Sequence, residues 1–284
     1  MEEISNLLVR ADVRLLTLTG PGVIGKTRLG TEAARRAEGR FPDGVSFIAL
    51  APLGNAALVM PTALRALGLR GAASVRPLEV LCQYLGGRKS LLVLDNFEHV
   101  VEAAPEVTYL LRSCPDPSVL VNSRTPLRVR GEHEYPISPL AMSDPDRMPE
   151  AEEVARTPAA RLFVERAGEA SPGFGLTRAN AAAVAAICWK LDGLPLALEL
   201  AAARVRFLGP APLLSRLNQA LQAGGARDLP ERQRTMRSTL DWSNDLLSKA
   251  EKDLFARSPV FAGASRSKRP RRCAPGVASP GTGC

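Results

Sequence analysis

The feature that most constrains this chain is the stretch Gly20-Pro21-Gly22-Val23-Ile24-Gly25-Lys26-Thr27, which satisfies the pattern GxxxxGK[ST]. Residues 13–19 (VRLLTLT) before it are branched and apolar and read as a buried strand, and residues 26–38 after it read as a helix. Between a strand and a helix, such a loop is built for phosphate. Its glycines let the backbone curl so that N–H groups converge on phosphate oxygens, and the helix directs its positive end at the same anion. Lys26 supplies a charge for the β- and γ-phosphates, and Thr27 a hydroxyl for Mg²⁺. The run from Gly20 to Thr27, with Arg28 next to it, is the expected contact for ATP or ADP.

Around this loop the sequence alternates. Residues 45–50, 90–94, 118–122 and 134–137 read as further strands, and residues 56–67, 77–85 and the stretch from 96 through 112 as helices. The rhythm implies an α/β fold, a parallel sheet with helices on both faces. A Pro- and Asp-rich loop at 139–149 marks a boundary. Beyond it residues 159–167, 178–191, 195–207 and 211–221 have helical spacing. Leu196, Leu200 and Ala203 fall on one helix face, and Asn180 in a first turn. From about Gln233 a third segment opens, with Met236 and Leu240 four apart and a capping-box spacing at Ser248 and Glu251. The expected organisation is a P-loop nucleotide-binding domain over 1–140, a helical lid domain over 150–225, a partial winged-helix domain over 230–262 and a disordered basic tail over 263–284.

Three further stretches carry chemistry. The run Leu91-Leu92-Val93-Leu94-Asp95 is a buried strand ending in an acid, and at this distance from the loop Asp95 is the expected Mg²⁺ ligand, the alternative being a cap for the next helix. The next residue is Asn96, an amide that cannot act as a base, which leaves Glu98 as a substitute or as a surface acid and predicts slow hydrolysis. At the end of the fourth strand, Asn122-Ser123-Arg124 places an arginine to reach a γ-phosphate, or else to pair with a carboxylate. Gly193-Leu194-Pro195-Leu196-Ala197 reads as a turn entering a helix, with Pro195 in its first turn.

Charge and cysteines narrow the classes. Of the formal excess of +8, five positive charges and no acid lie in residues 258–284, leaving +3 for the rest, so charge is poor evidence for DNA binding. The five cysteines form no CxxC pair, which argues against a metal site, and no apolar run of 18 residues exists. The start of the chain lacks the pattern of a secretory signal, and the reading is cytoplasmic, with no membrane partner.

Taken together, TLTGPGVIGKTRL, LLVLDNFEH, VNSRTPLRVRGEHEYPISPL, LDGLPLALELAAARVR and QRTMRSTLDWSNDLL resemble, in order, the STAND class of signal-transduction ATPases, the NB-ARC-like group, and most closely the core of bacterial LuxR-type and SARP-type transcriptional regulators. The resemblance implies a nucleotide clamped between P-loop, lid and winged-helix domains. It implies that Lys26 and Thr27 bind phosphates and Mg²⁺, that Asp95 holds Mg²⁺, that Arg124 senses the γ-phosphate and that Pro195 packs on the adenine. It also implies a switch in which ADP locks a closed state and ATP opens it, toward a protein partner or self-association. The chain departs from the family loop GPGGVGKT at Val23, where a glycine is usual. The family pattern stops after Val260-Phe261-Ala262-Gly263, so the expectation is a C-terminally truncated core without the histidine that usually meets the ADP phosphate. Competing readings are a DNA-binding regulator acting through its own partial winged helix and tail, a metabolic ATPase or kinase, and a non-functional remnant; specific DNA binding by this chain alone is not expected.

Overall fold

The computed structural model describes residues 2–70, 74–147 and 149–223, all within the first of two compact units, Met1–Leu240. The partial winged-helix segment, its capping box and the basic tail lie outside the described residues. The order is α1 (Glu2–Leu8), β1 (Leu15–Thr19), α2 (Lys26–Ala37), β2 (Val45–Ala49), α3 (Val59–Ala66), α4 (Pro77–Leu85), β3 (Leu91–Asp95), α5 (Ala104–Ser113), β4 (Ser118–Ser123) and β5 (Glu132–Pro136). The strands form one parallel sheet in the order β2-β3-β4-β1-β5.

Side chains alternate across a strand, so a strand buried on both faces must be apolar at every position. In β1, β3 and β4 this holds almost throughout. Leu16, Leu18, Leu91, Val93 and Leu120 pack with Ala33 and Ala34 of α2 and with Ile4 and Leu8 of α1 on one face. Leu15, Leu92, Leu94, Val119 and Val121 pack with Leu64, Leu81 and Val107 of α3, α4 and α5 on the other. This is the P-loop NTPase sheet, with helices on both faces.

Beyond the sheet the chain is helical: α6 (Ala151–Arg156), α7 (Pro158–Ala170), α8 (Ala181–Lys190), α9 (Pro195–Ala202), α10 (Val205–Leu208) and α11 (Pro210–Ala223). Thr157 caps α7, its hydroxyl accepting from Ala160 N at 3.4 Å, and Pro158 stands at the first helical position, where a missing N–H costs nothing. α7 packs on α9, and α8 on α11. The buried positions of α7 and α9 are mostly alanine (Ala159, Ala160, Ala167, Ala197, Ala201 and Ala202), small side chains that let these two helices pack closely. Phe163 meets Phe174 edge to face at 6.4 Å.

Several expected elements differ. The helix expected over 195–207 is broken after Ala202 and resumes as α10, and its buried face is Ala197, Leu198, Ala201 and Ala202, with Leu196 and Leu200 half-buried and Ala203 exposed. The helix expected from Arg178 starts at Ala181. Asn180 precedes it and ties the turn instead, accepting from Thr177 N at 2.8 Å and donating to Gly175 O at 2.9 Å, the local bonding by which asparagine competes with helix. After Asp95 the chain makes two 3₁₀ turns before α5 begins at Ala104. α1 and α6 were not expected at all.

Candidate functional site

Parallel pairing brings the C-terminal ends of β1, β4 and β3 side by side, with Leu18 opposite Asn122 and Leu94 opposite Val121. The loop after β1 lies on this edge, the usual place for a ligand in an open parallel sheet. Gly20 and Gly25 have φ of +149° and +97°, values that only glycine adopts without strain. Gly25 caps α2 without a side-chain bond, and the first turn of α2 holds no acid but carries Lys26 and Arg28. Cations at the positive end of a helix repel its dipole, so this terminus is stabilised by an anion.

Lys26 is buried, and its Nζ donates to Gly20 O at 2.7 Å and Pro21 O at 2.9 Å. Burial pushes its ammonium below the usual range; Glu98 and Asp95 pull it back up, and Arg124 pushes it further down. Asp95 Oδ1 accepts from Thr27 Oγ1 at 2.8 Å and from Asn122 Nδ2 at 2.8 Å. Asn122, fully buried, has no bonding partner for its Oδ1 among the described residues. The amide lies against α2: a Cβ on Gly30 would come 2.7 Å from Asn122 Oδ1. Gly30 is thus required for Asn122 to sit where it orients Asp95.

Arg124 leaves the end of β4 and extends over the loop, where a Cβ on Gly22 would lie 3.9 Å from its Cζ. Its Nε is 3.0 Å from Glu98 Oε1. A cavity of about 440 Å³ is bounded by Lys26, Thr27, Asp95, Glu98 and Arg124 on the sheet side and closed by Pro195, Leu196 and Glu199 of α9. A second cavity of about 460 Å³ shares Gly25, Arg28 and Pro195 with it; Ile24, Leu29, Ile137, Leu140, Pro158 and Leu162 form its apolar wall, and Glu32, Arg36, Arg161 and Glu165 line it as well. The pair sets a charged chamber beside a cavity with one apolar wall and a charged rim.

A magnesium ion fits the donor set: a hydroxyl and a carboxylate 2.8 Å apart are hard oxygens, and Mg²⁺ commonly takes one or two protein oxygens with phosphate and water completing its shell. Among the described residues no cluster of three or more His, Cys, Asp or Glu could hold a metal.

The residues expected to contact nucleotide or Mg²⁺ lie around these two cavities: Gly22, Val23, Gly25, Lys26, Thr27, Arg28, Asp95, Arg124 and Pro195 border the first, Ile24 the second, and the carbonyls of Gly20 and Pro21 accept from Lys26. Val23 has φ of +64°, so the valine stands in the left-handed region where a β-branched residue is strained. Asn96 has φ of +61°, and asparagine tolerates that conformation better than most residues. The sequence reading missed Gly30, the role of Asn122, and Glu199, which ion-pairs with Arg28 at 3.8 Å and Arg166 at 3.2 Å and so joins α2 to α7 and α9. A signal for Asn122 was present, a polar residue in an otherwise apolar strand; Gly30 and Glu199 are ordinary helix residues whose partners lie far off in sequence.

No family model matches the chain. Over 256 residues, 89% of its length, it is 40% identical to a protein of Mycobacterium tuberculosis that carries the name of an HTH-type transcriptional regulator. It is 30% identical over 215 residues, 72% of its length, to the regulatory protein AfsR of Streptomyces griseus. The chain spans about a quarter of the first of these, 27%, and 20% of the second. Among solved structures, a chain of Drosophila ORC bound to DNA aligns with 92% of this chain and 84% of its own, with a TM-score of 0.53 at 12% identity, a likeness of fold.

Proposed function

We propose that this chain is a nucleotide-dependent regulatory switch, the ATP- and ADP-binding core of a transcriptional regulator of the STAND, NB-ARC-like kind. The observation that carries the nucleotide reading is the convergence of Lys26, Thr27 and Asp95 at the uncapped start of α2. The regulatory reading is supported by the names of the relatives, 40% and 30% identical over most of this chain.

On this reading Lys26 exchanges its bonds to the loop carbonyls for bonds to β- and γ-phosphate oxygens, and backbone N–H groups of the loop and α2 take the rest. Thr27 and Asp95 hold Mg²⁺, with Asn122 fixing the carboxylate; the ion supplies neutralisation of phosphate charge. Arg124 reaches the terminal phosphate, and the apolar cavity beside Pro195 takes the adenine. Asn96 supplies no base, so hydrolysis is slow, as suits a switch that works by differential affinity for two conformations. The division into a P-loop domain over 1–140, a helical lid over 150–225 and a third segment beyond belongs to the same reading, as do self-association or a protein partner in the ATP state and a cytoplasmic location.

The test is thermal unfolding of the whole chain with and without Mg²⁺–ATP and Mg²⁺–ADP, beside Lys26→Ala. A ligand at one hundred times its Kd adds roughly 2.7 kcal/mol, several degrees for a chain of this size. A rise present in the wild type and lost in Lys26→Ala is expected. A cooperative transition that no nucleotide moves would sink the reading.

A further inference from the structure

Besides Asp95, the charged cavity is lined by two further acids, Glu199 of α9 and Glu98, and Glu98 is the one that faces Arg124. Glu98 stands three residues past Asp95, in the 3₁₀ turn Phe97–His99, and its side chain is only 10% exposed. Its Oε1 lies 3.0 Å from Arg124 Nε, and its Oε2 is buried with no hydrogen-bond partner among the described residues. A carboxylate so placed keeps its charge at low cost only beside cations: Arg124 is ion-paired to it, and the Lys26 ammonium lies within electrostatic reach. The two partners are unequally held. Arg124 is 59% exposed and lies over the open loop at Gly22, with room to turn; Glu98 is enclosed.

We propose that Glu98 is a specificity-determining residue that sets the preference of the site between nucleoside diphosphates and triphosphates, by competing with the terminal phosphate for Arg124. The proposal rests on the nucleotide-binding reading above. A diphosphate leaves the Glu98–Arg124 pair in place. On the reading above a triphosphate engages the same guanidinium, which lies over the loop at Gly22, and it brings added negative charge toward the Glu98 carboxylate in the same cavity. The loss of the pair and the like-charge repulsion act in the same direction, against the triphosphate. Arg124 acts for it, since a guanidinium binds phosphate through paired N–H groups. Glu98 therefore sets how much of that attraction remains, and keeps the two affinities close enough for exchange to depend on nucleotide concentrations.

The experiment is titration calorimetry on the full chain with Mg²⁺–ADP and with a Mg²⁺-bound non-hydrolysable triphosphate analogue. The variants are Glu98→Gln, Glu98→Asp, Arg124→Ala and the double variant Glu98→Gln with Arg124→Ala. Glu98→Gln should raise the triphosphate-to-diphosphate affinity ratio about two- to fivefold, the range of a partly exposed ion pair, and retained ADP binding shows that the variant is folded. Glu98→Asp, which keeps the charge but withdraws it, should shift the ratio in the same direction by less. In the Arg124→Ala background the effect of Glu98→Gln should fall by at least half, which a role for Glu98 in folding alone does not produce. An unchanged or lowered triphosphate-to-diphosphate ratio in Glu98→Gln overturns the competition while leaving nucleotide binding intact. Binding of neither nucleotide by the wild type overturns both.

Discussion

Val23 and Gly30 show how much of the site is decided by whether a single Cβ is present. Val23 holds φ of +64° and is 36% exposed, so it has the strain of the left-handed region and little burial to offset it. Such strain costs of order 1–3 kcal/mol, and glycine returns about 1 kcal/mol of it as unfolded-chain entropy. Val23→Gly should therefore stabilise the chain by about 1 kcal/mol, a rise in Tm of about 2–4 °C by calorimetry. Gly30 is the opposite case. An alanine in mid-helix is ordinarily favoured over glycine by about 1 kcal/mol, but here its methyl would meet Asn122 Oδ1 at 2.7 Å and Nδ2 at 2.9 Å. Asn122 cannot swing aside without releasing Asp95. Gly30→Ala should cost a net ~1–2 kcal/mol by denaturant unfolding, and the cost should disappear when Asn122→Ala is already present, because the two positions share one contact.

At the scale of elements, the turn between α8 and α9 fixes where Pro195 stands. Gly193 has φ of +60°, donates to Cys188 O at 3.1 Å and accepts from Leu140 N at 3.0 Å; a Cβ there would fall within the van der Waals shell of Leu140 O. Both the backbone angle and the space demand glycine, so Gly193→Ala should destabilise by about 3 kcal/mol or more, read as a fall in denaturant midpoint with the slope unchanged. Leu140 follows the β5 exit, so the turn fastens the helical half to the end of the sheet. From the sequence, Gly193-Leu194-Pro195 was readable only as a turn and a helix start. Its partner lies some fifty residues earlier, and no local pattern announces a contact at that distance. The sheet was legible because β1, β3 and β4 are buried on both faces and so read as unbroken apolar runs, and the loop because its glycines and Lys26-Thr27 are contiguous. The helical half was harder: the buried faces of α7 and α9 are mostly alanine, which marks no face by hydrophobicity. Hence the break after Ala202 and the displacement of the apolar face from Leu196 and Leu200 to Ala197 and Ala201 were not visible.

For the whole described unit, the charged cavity has walls from both the sheet edge and α9, and Glu199 of α9 ion-pairs with Arg28 of α2. A ligand seated there touches both halves, so its binding energy cannot be confined to the loop. The exposed ion pair between Glu199 and Arg28, at 3.8 Å, contributes at most a fraction of a kcal/mol. Other contacts hold the helical half without ligand, among them the backbone bonds from Leu140 N to Gly193 O at 3.0 Å and from Ala159 N to Ala141 O at 3.1 Å. Adding Mg²⁺–ADP should slow amide exchange at residues 22–30 and also at residues 196–202, which lie in a different half of the chain. Glu199→Ala should leave the first protection in place and weaken the second by less than tenfold, because the pair it removes is weak and the wall it belongs to remains. Protection confined to residues 22–30 would mean that nucleotide is held by the loop alone and that the helical half takes no part in sensing it. On the proposed reading a switch must transmit the difference between two nucleotides beyond the loop, and α9, with Pro195 at its start and Glu199 ion-paired to Arg28, is the helix of the helical half that borders the charged cavity.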